Sequence, residues 1–185
     1  MYFNQDSGDA ALVGKSLEGD AAAFESLVTR YQRVLFNVAL RMLGDYEDAE
    51  DATQAAFIKA YRNLATFDRT HRFFSWLYRI LLNECLNARR DRRPHEAIEP
   101  EMPELVIGDG PLEALQAAER RRLVQHALLA LPHESREVIV LRHFGELGYE
   151  DIAATLGIAV KTVKSRLYTA RQRLLELLLP EKTQT

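Results

Sequence analysis

Between residues 161 and 173 no acid interrupts a run of cations and hydroxyls: Lys161, Thr162, Lys164, Ser165, Arg166, Tyr168, Thr169, Arg171 and Arg173. Side chains of these types hydrogen-bond to phosphate oxygens and to base edges in the major groove. Their spacing carries as much information as their chemistry. Val163, Leu167, Ala170 and Leu174 recur at intervals of four, three and four, which is one face of a 3.6-residue period. Projected at about 100° per residue, Lys161, Ser165, Tyr168, Thr169 and Gln172 oppose that stripe, and Lys164, Arg166, Arg171 and Arg173 flank it. This suits a helix that packs by one side and enters duplex DNA by the other. A surface helix with a merely solvated basic face is the plainer alternative.

Two further stretches hold residues with chemistry to offer. From Arg62 to Arg93, eight arginines stand against Asp68, Glu84 and Asp91, and Phe67, Phe73, Phe74, Trp76 and Tyr78 are interleaved with them. Cations that track phosphate beside rings that stack on unpaired bases make a single-strand binding surface. Some of those rings belong to a core, and Trp76, Leu77 and Ile80 are expected to pack inward. The contacts are then expected from the loop Asp68 to Phe74 and the outer side of the helix Ser75 to Arg90. The other stretch begins at Asp45. Glu47, Asp51, Gln54, Ile58 and Tyr61 share one outward face, where charge passes into two sizeable apolar side chains, as on a surface that binds protein. Isolated exposed apolar residues are also ordinary on any monomer.

Other chemistry is excluded by what is missing or scattered. His71, His95, His126, His133 and His143 have no metal-ligand spacing with one another or with the single cysteine, Cys85. No glycine loop cradles a phosphate, and nothing points to a nucleophile with a base beside it. An enzyme, a resident metal and a cofactor are therefore not expected. The 185 residues are 47% hydrophobic and 28% charged with a net charge of −3, a globular balance and not that of a bulk polyanion binder. Nucleic-acid contact must come from local segregation of charge. One cysteine, no membrane-length apolar run and no signal-peptide pattern fit a reducing cytoplasm.

These residues need helices to place them, and the periodicity is helical throughout. Residues 1 to about 8 read as a frayed start, and the first clear helix spans Ala21 to Leu43 and stops at Gly44. Asp45 then caps a second helix whose inward face is Ala49, Ala52, Ala56 and Ala60. Residues 94–111 hold four prolines, six acids counted through Glu113 and no cation, which reads as an extended acidic linker. Beyond it, helices over Leu115 to Leu131 and Glu134 to Phe144 offer Leu123, Ala127, Ala130 and Leu131, with Val138, Ile139 and Leu141, as a core. Ile152, Ala153 and Leu156 then form a short helix that turns at Gly157 into the basic helix. The expected fold is all-α, with two small helical domains at 9–93 and 112–179 and a helix-turn-helix closing the second.

Three motifs in order, GDYEDAEDATQAAFIKAYRNL, FDRTHRFFSWLYRILLNECLNARR and LPHESREVIVLRHFGELGYEDIAATLGIAVKTVKSRLYTARQRL, make the chain similar to bacterial sigma factors of the extracytoplasmic-function (ECF) class. The resemblance runs from about Gly19 to Leu179. It implies a promoter-specificity subunit that binds core RNA polymerase and promoter DNA, commonly restrained by an anti-sigma factor, with no membrane insertion of its own. It implies polymerase contacts at Glu47, Asp48, Asp51, Gln54 and Ile58. Minus 10 contacts fall on Arg72, Phe73, Phe74, Trp76, Arg79, Asn83, Arg89 and Arg90. Minus 35 contacts fall on Lys161, Thr162, Lys164, Ser165, Arg166, Tyr168, Thr169 and Arg171. Members usually carry serine at Gly148 and proline and glycine at Ala159 and Lys161; Lys161 and Thr169 are where sequence preference is expected to differ. A stand-alone helix-turn-helix regulator, or a protein that binds polymerase without directing initiation, are the alternatives.

Overall fold

The computed structural model describes residues 6–91 and 111–179. Eight α-helices follow one another in these segments: α1 (Asp6–Leu17), α2 (Ala21–Leu43), α3 (Tyr46–Arg62), α4 (Phe73–Asp91), α5 (Pro111–Ala130), α6 (His133–His143), α7 (Tyr149–Leu156) and α8 (Val160–Leu178), with a 3-10 turn at Leu64–Thr66. No strand occurs among the described residues, and the all-α expectation holds. Residues 94–110 of the expected linker lie outside the described residues.

Local sequence accounts for several helix ends. Asp20 Oδ1 accepts the Ala22 and Ala23 amides at 3.0 and 3.2 Å to start α2, and Asp45 Oδ1 accepts the Asp48 amide at 2.9 Å to start α3. Gly44 ends α2 in the left-handed region at φ +78° and returns its amide to Leu40. Glycine is required there twice over, because a Cβ would also stand 2.5 Å from Leu129 Cδ1. The alanine face of α3 is buried as its spacing demands, with Ala49, Ala56 and Ala60 fully enclosed against α2 and α4.

Two expectations change. The N-terminal segment is not frayed from residue 6 onward but helical. Asp9, 2% exposed, bonds Arg30 and Tyr31 of α2, and Val13 is fully buried. In α5 the buried face is Gln125, Ala127 and Leu128, continued by Leu131 just after the helix, whereas Leu123 and Ala130 are exposed. The face has rotated because α5 packs on α2 as well as on α8.

That packing joins the two halves of the chain. Buried residues of α1–α4 and of α5–α8 form one continuous cluster, and α2 meets α5 and α6 while α4 meets α7. At the seam the Arg136 guanidinium, 4% exposed, donates to the Leu128, Leu129 and Leu131 carbonyls at 2.9, 2.5 and 3.1 Å and to the Met42 carbonyl at 2.9 Å. Replacing Arg136 with Ala removes its donors from four carbonyls, of which that of Leu128 still accepts the Leu131 amide, and is expected to cost about 2–4 kcal/mol in urea unfolding, with Arg136→Lys recovering only part, since one ammonium cannot span them all.

Candidate nucleic-acid interface

The helix-turn-helix is α7 and α8, joined at Gly157, which sits at φ +66° and gives its amide to Ala153. Val163, Leu167 and Ala170 are buried, at 0%, 1% and 0% exposure, so the predicted stripe is the packed face. Lys161, Lys164, Ser165, Tyr168, Thr169 and Arg171 are exposed, and Thr162 and Arg166 half-buried. All eight residues expected at duplex DNA therefore lie on or beside one open face. Tyr168, 68% exposed, is its largest apolar projection.

Neighbours fix several of these groups. Arg166 Nη2 lies 2.6 Å from Glu134 Oε2 on α6. The Tyr149 ring attracts two cations, Lys164 Nζ at 5.8 Å and the Arg142 guanidinium at 5.2 Å. Ala159 offers no side-chain cap and no acid stands in the first turn of α8. The free amides and positive dipole end are thus open beside Lys161, an arrangement that favours phosphate. His143 has its pKa lowered by burial, then by Arg171 and Arg142, so it adds no charge to this face at neutral pH.

The arginine-aromatic segment divides into core and surface. Phe73, expected to read single strand, is corrected to a core residue: it is 3% exposed, with Phe67, Trp76 and Tyr31 rings 5.7, 5.8 and 6.0 Å away. A ring enclosed in this way has no face left for a base. Trp76 is half-buried, 5.1 Å from Phe67, and so packs inward as expected while keeping an open edge. Phe74 is also half-buried, with the Arg72 guanidinium 5.7 Å from its ring. Arg72, Arg79, Asn83, Arg89 and Arg90 are exposed. The preceding loop is shaped by Asp68, whose Oδ1 accepts the Thr70 amide at 2.9 Å and hydroxyl at 2.7 Å; these bonds lower its pKa.

On α3, Glu47, Asp51, Gln54, Ile58 and Tyr61 are exposed together and Asp48 is half-buried. Ile58 and Tyr61 also edge a groove of about 600 Å³ with Phe24, Val28 and Phe57. Sequence reasoning missed the residues that tie the halves together, Arg41, Gln125 and Arg136. The one available signal was a glutamine and an arginine at positions where the helical period calls for apolar side chains.

Among the described residues no group of three or more His, Cys, Asp or Glu could hold a metal, and no helix is long and apolar enough to cross a membrane. Burial, with Glu84 nearby, pushes the Cys85 thiol up to about 12.

Two regions of one class of transcription protein account for this layout. Residues 27–95 match the family model for Sigma-70 region 2, and residues 121–174 that for Sigma-70, region 4. The chain is 37% identical over 182 residues to the RNA polymerase sigma-H factor of Pseudomonas aeruginosa, covering 93% of this chain and 94% of that one. It is 35% identical over 167 residues to the ECF RNA polymerase sigma factor SigW of Bacillus subtilis, covering 85% and 89%. Its fold resembles CnrH, solved in complex with the cytosolic domain of CnrY, at TM-score 0.74 and 30% identity over 92% of this chain and 97% of that one. It also resembles the sigma factor RpoE of Bartonella quintana, solved with the anti-sigma factor NepR, at TM-score 0.69 and 27% identity over 86% and 98%. The chain belongs to the sigma-70 family, among its ECF sigma factors.

Fully buried and protonated, Cys85 should resist alkylation in the native chain at pH 8 and react at the rate of global unfolding. Iodoacetamide labelling with and without urea measures this.

Proposed function

We propose that this chain binds core RNA polymerase and directs promoter-specific initiation, reading the minus 35 element as duplex through α8 and the minus 10 element as melted strand through α4. The observation that carries the reading is the open, acid-free face of α8 seated on a buried stripe, in a chain that matches both sigma-70 regions. Lys161, Thr162, Lys164, Ser165, Arg166, Tyr168, Thr169 and Arg171 meet the duplex. Lys161 acts beside the helix N-terminus, on phosphate or the outermost base. Arg72, Phe74, Trp76, Arg79, Asn83, Arg89 and Arg90 meet the strand: the arginines take phosphates, and the open edges of Phe74 and Trp76 support unstacked bases.

Polymerase is taken by the exposed face of α3, through Glu47, Asp48, Asp51, Gln54 and Ile58. Residues 9–93 and 112–179 work as separate domains on the promoter, with 94–111 as their tether. An anti-sigma factor is the natural regulatory partner, as the NepR complex of a relative supports. The place of action is the cytoplasm, where polymerase and promoter are. The chain supplies specificity and leaves catalysis to the polymerase.

The test is run-off transcription with purified core polymerase on a promoter mapped from transcript start sites. The complete chain should confer specific initiation, and failure to exceed core alone sinks the proposal. Lys164→Ala should cost about 1–3 kcal/mol of discrimination at the base it contacts, roughly 5- to 150-fold, while leaving polymerase affinity unchanged. Asp51→Ala combined with Ile58→Ala should do the reverse, weakening polymerase binding at unaltered promoter preference.

A further inference from the structure

Helix α1 takes no part in the proposed function, yet it is built into the core. Asp9, 2% exposed, bonds Arg30 and Tyr31 of α2, and Val13 is fully buried. The helix also lies against the 3-10 turn at Leu64–Thr66 and against α4, the two elements that flank residues 68–72. Those residues are all exposed.

The 68–72 segment is a turn closed on itself. Asp68 Oδ1 accepts the Thr70 amide and hydroxyl at 2.9 and 2.7 Å, and the Asp68 carbonyl accepts the His71 amide at 3.0 Å. Phe67 and Phe73, at its two ends, are buried with their rings 5.7 Å apart. A turn tied in this way shifts as one piece, and Phe74 and Trp76 follow it directly. From its tip Arg69 reaches back to α1, where Nη2 donates to the Ala10 carbonyl at 3.5 Å.

Gly14, four residues after Ala10 and so on the same face, makes room for that guanidinium. A Cβ there would stand 2.8 Å from Arg69 Nη2, and among the described residues it would meet nothing outside α1 but Arg69 within 4 Å. The backbone does not call for glycine: φ is not positive, and the Gly14 carbonyl accepts the Glu18 amide at 3.2 Å. Glycine inside a helix is less stable than alanine. What the missing methyl group provides is the seat for Arg69.

We infer that α1 positions the strand-reading end of α4: Gly14 seats the Arg69 guanidinium, and Arg69, as a positioning residue, holds the 68–72 turn in one place before Phe74 and Trp76. This rests on the proposed assignment of Arg72, Phe74 and Trp76 to the melted strand. The competing use of Arg69, as a free cation on a phosphate, needs its charge but not its fit to Gly14.

The experiment is run-off transcription by the full chain with core polymerase, on a matched promoter and on promoters altered in the minus 10 or the minus 35 element. Gly14→Ala evicts the guanidinium while improving the helix, so the melting temperature should hold or rise by about 2–4 °C. Discrimination at minus 10 should nonetheless fall about two- to tenfold, the loss of one modest contact, with minus 35 discrimination and polymerase affinity unchanged. Arg69→Ala should fall as far, and Gly14→Ala should add nothing in that background. Arg69→Lys, which keeps the charge and loses the planar fork, should stay below wild type.

Full minus 10 discrimination by Gly14→Ala overturns the inference. So does a Gly14→Ala effect that persists without Arg69, and so does complete rescue by Arg69→Lys. A fall at both elements together with the melting temperature marks a merely structural role and overturns it as well. The assignment beneath it fails separately, if Arg72→Ala combined with Phe74→Ala discriminates at minus 10 as well as wild type does.

Discussion

A guanidinium without a carboxylate holds the centre of this molecule. Arg136 is charged, almost wholly buried, and surrounded by carbonyls of helix ends rather than by an acid. Removing an ion from water is costly, and the arrangement offsets that cost by giving the guanidinium four carbonyl acceptors. Three belong to the end of α5 and the turn after it, and the fourth to the last turn of α2. Their dipoles converge on the cation as a carboxylate would. Burial, with Arg89 adding repulsion, brings the Arg136 pKa down to about 10, so it still carries its charge near neutral pH. Only the planar fork of arginine reaches acceptors lying in several directions at once.

The consequence is a hierarchy of contacts. The α5–α6 corner keeps three of the four bonds whether or not the halves touch, and that corner supports α8 through Val138, Ile139 and Leu141. The bond to Met42 belongs to the seam alone. Helix α8 is therefore positioned from within its own half, and its stripe of Val163, Leu167 and Ala170 is buried there. The same division holds on the other side. Phe67, Phe73, Trp76 and Tyr31 form an aromatic group within the N-terminal half, from which Arg79 of α4 reaches across to α7.

Legibility in the sequence followed the range of the interactions. Helix α3 could be read almost completely, because the stop of α2 at Gly44, the cap at Asp45 and the alanine period are all set within a few residues. The basic face of α8 was legible for the same reason. What escaped was set at long range. Asp9 looks like a solvated acid in a polar terminus, and only the Arg30 and Tyr31 side chains, more than twenty residues on, make it a buried anchor for α1. Phe73 sits among arginines in a segment that suits nucleic acid, yet the ring lies under α2. In α5, the apolar period pointed to Leu123, while contact with α2 selected Gln125 for burial instead. A glutamine becomes a core residue only where carbonyls of another helix need a donor, and one helix's sequence does not announce another helix's end.

The seam between the halves combines apolar and polar contacts. Where the buried apolar side chains of the two halves meet, separating them would expose surface at about 25 cal/mol per Å², a cost that mounts with area. Arg41, Arg72, Arg79, Gln125 and Asp151 add polar contacts around that apolar core. The net worth of each such bond is small, because protein and water compete for it on nearly equal terms. Leu129 against Gly44 adds shape, which fixes one geometry of closure without adding much area. An apolar core, a steric register at Gly44 and directed polar bonds thus fix one geometry for the two halves.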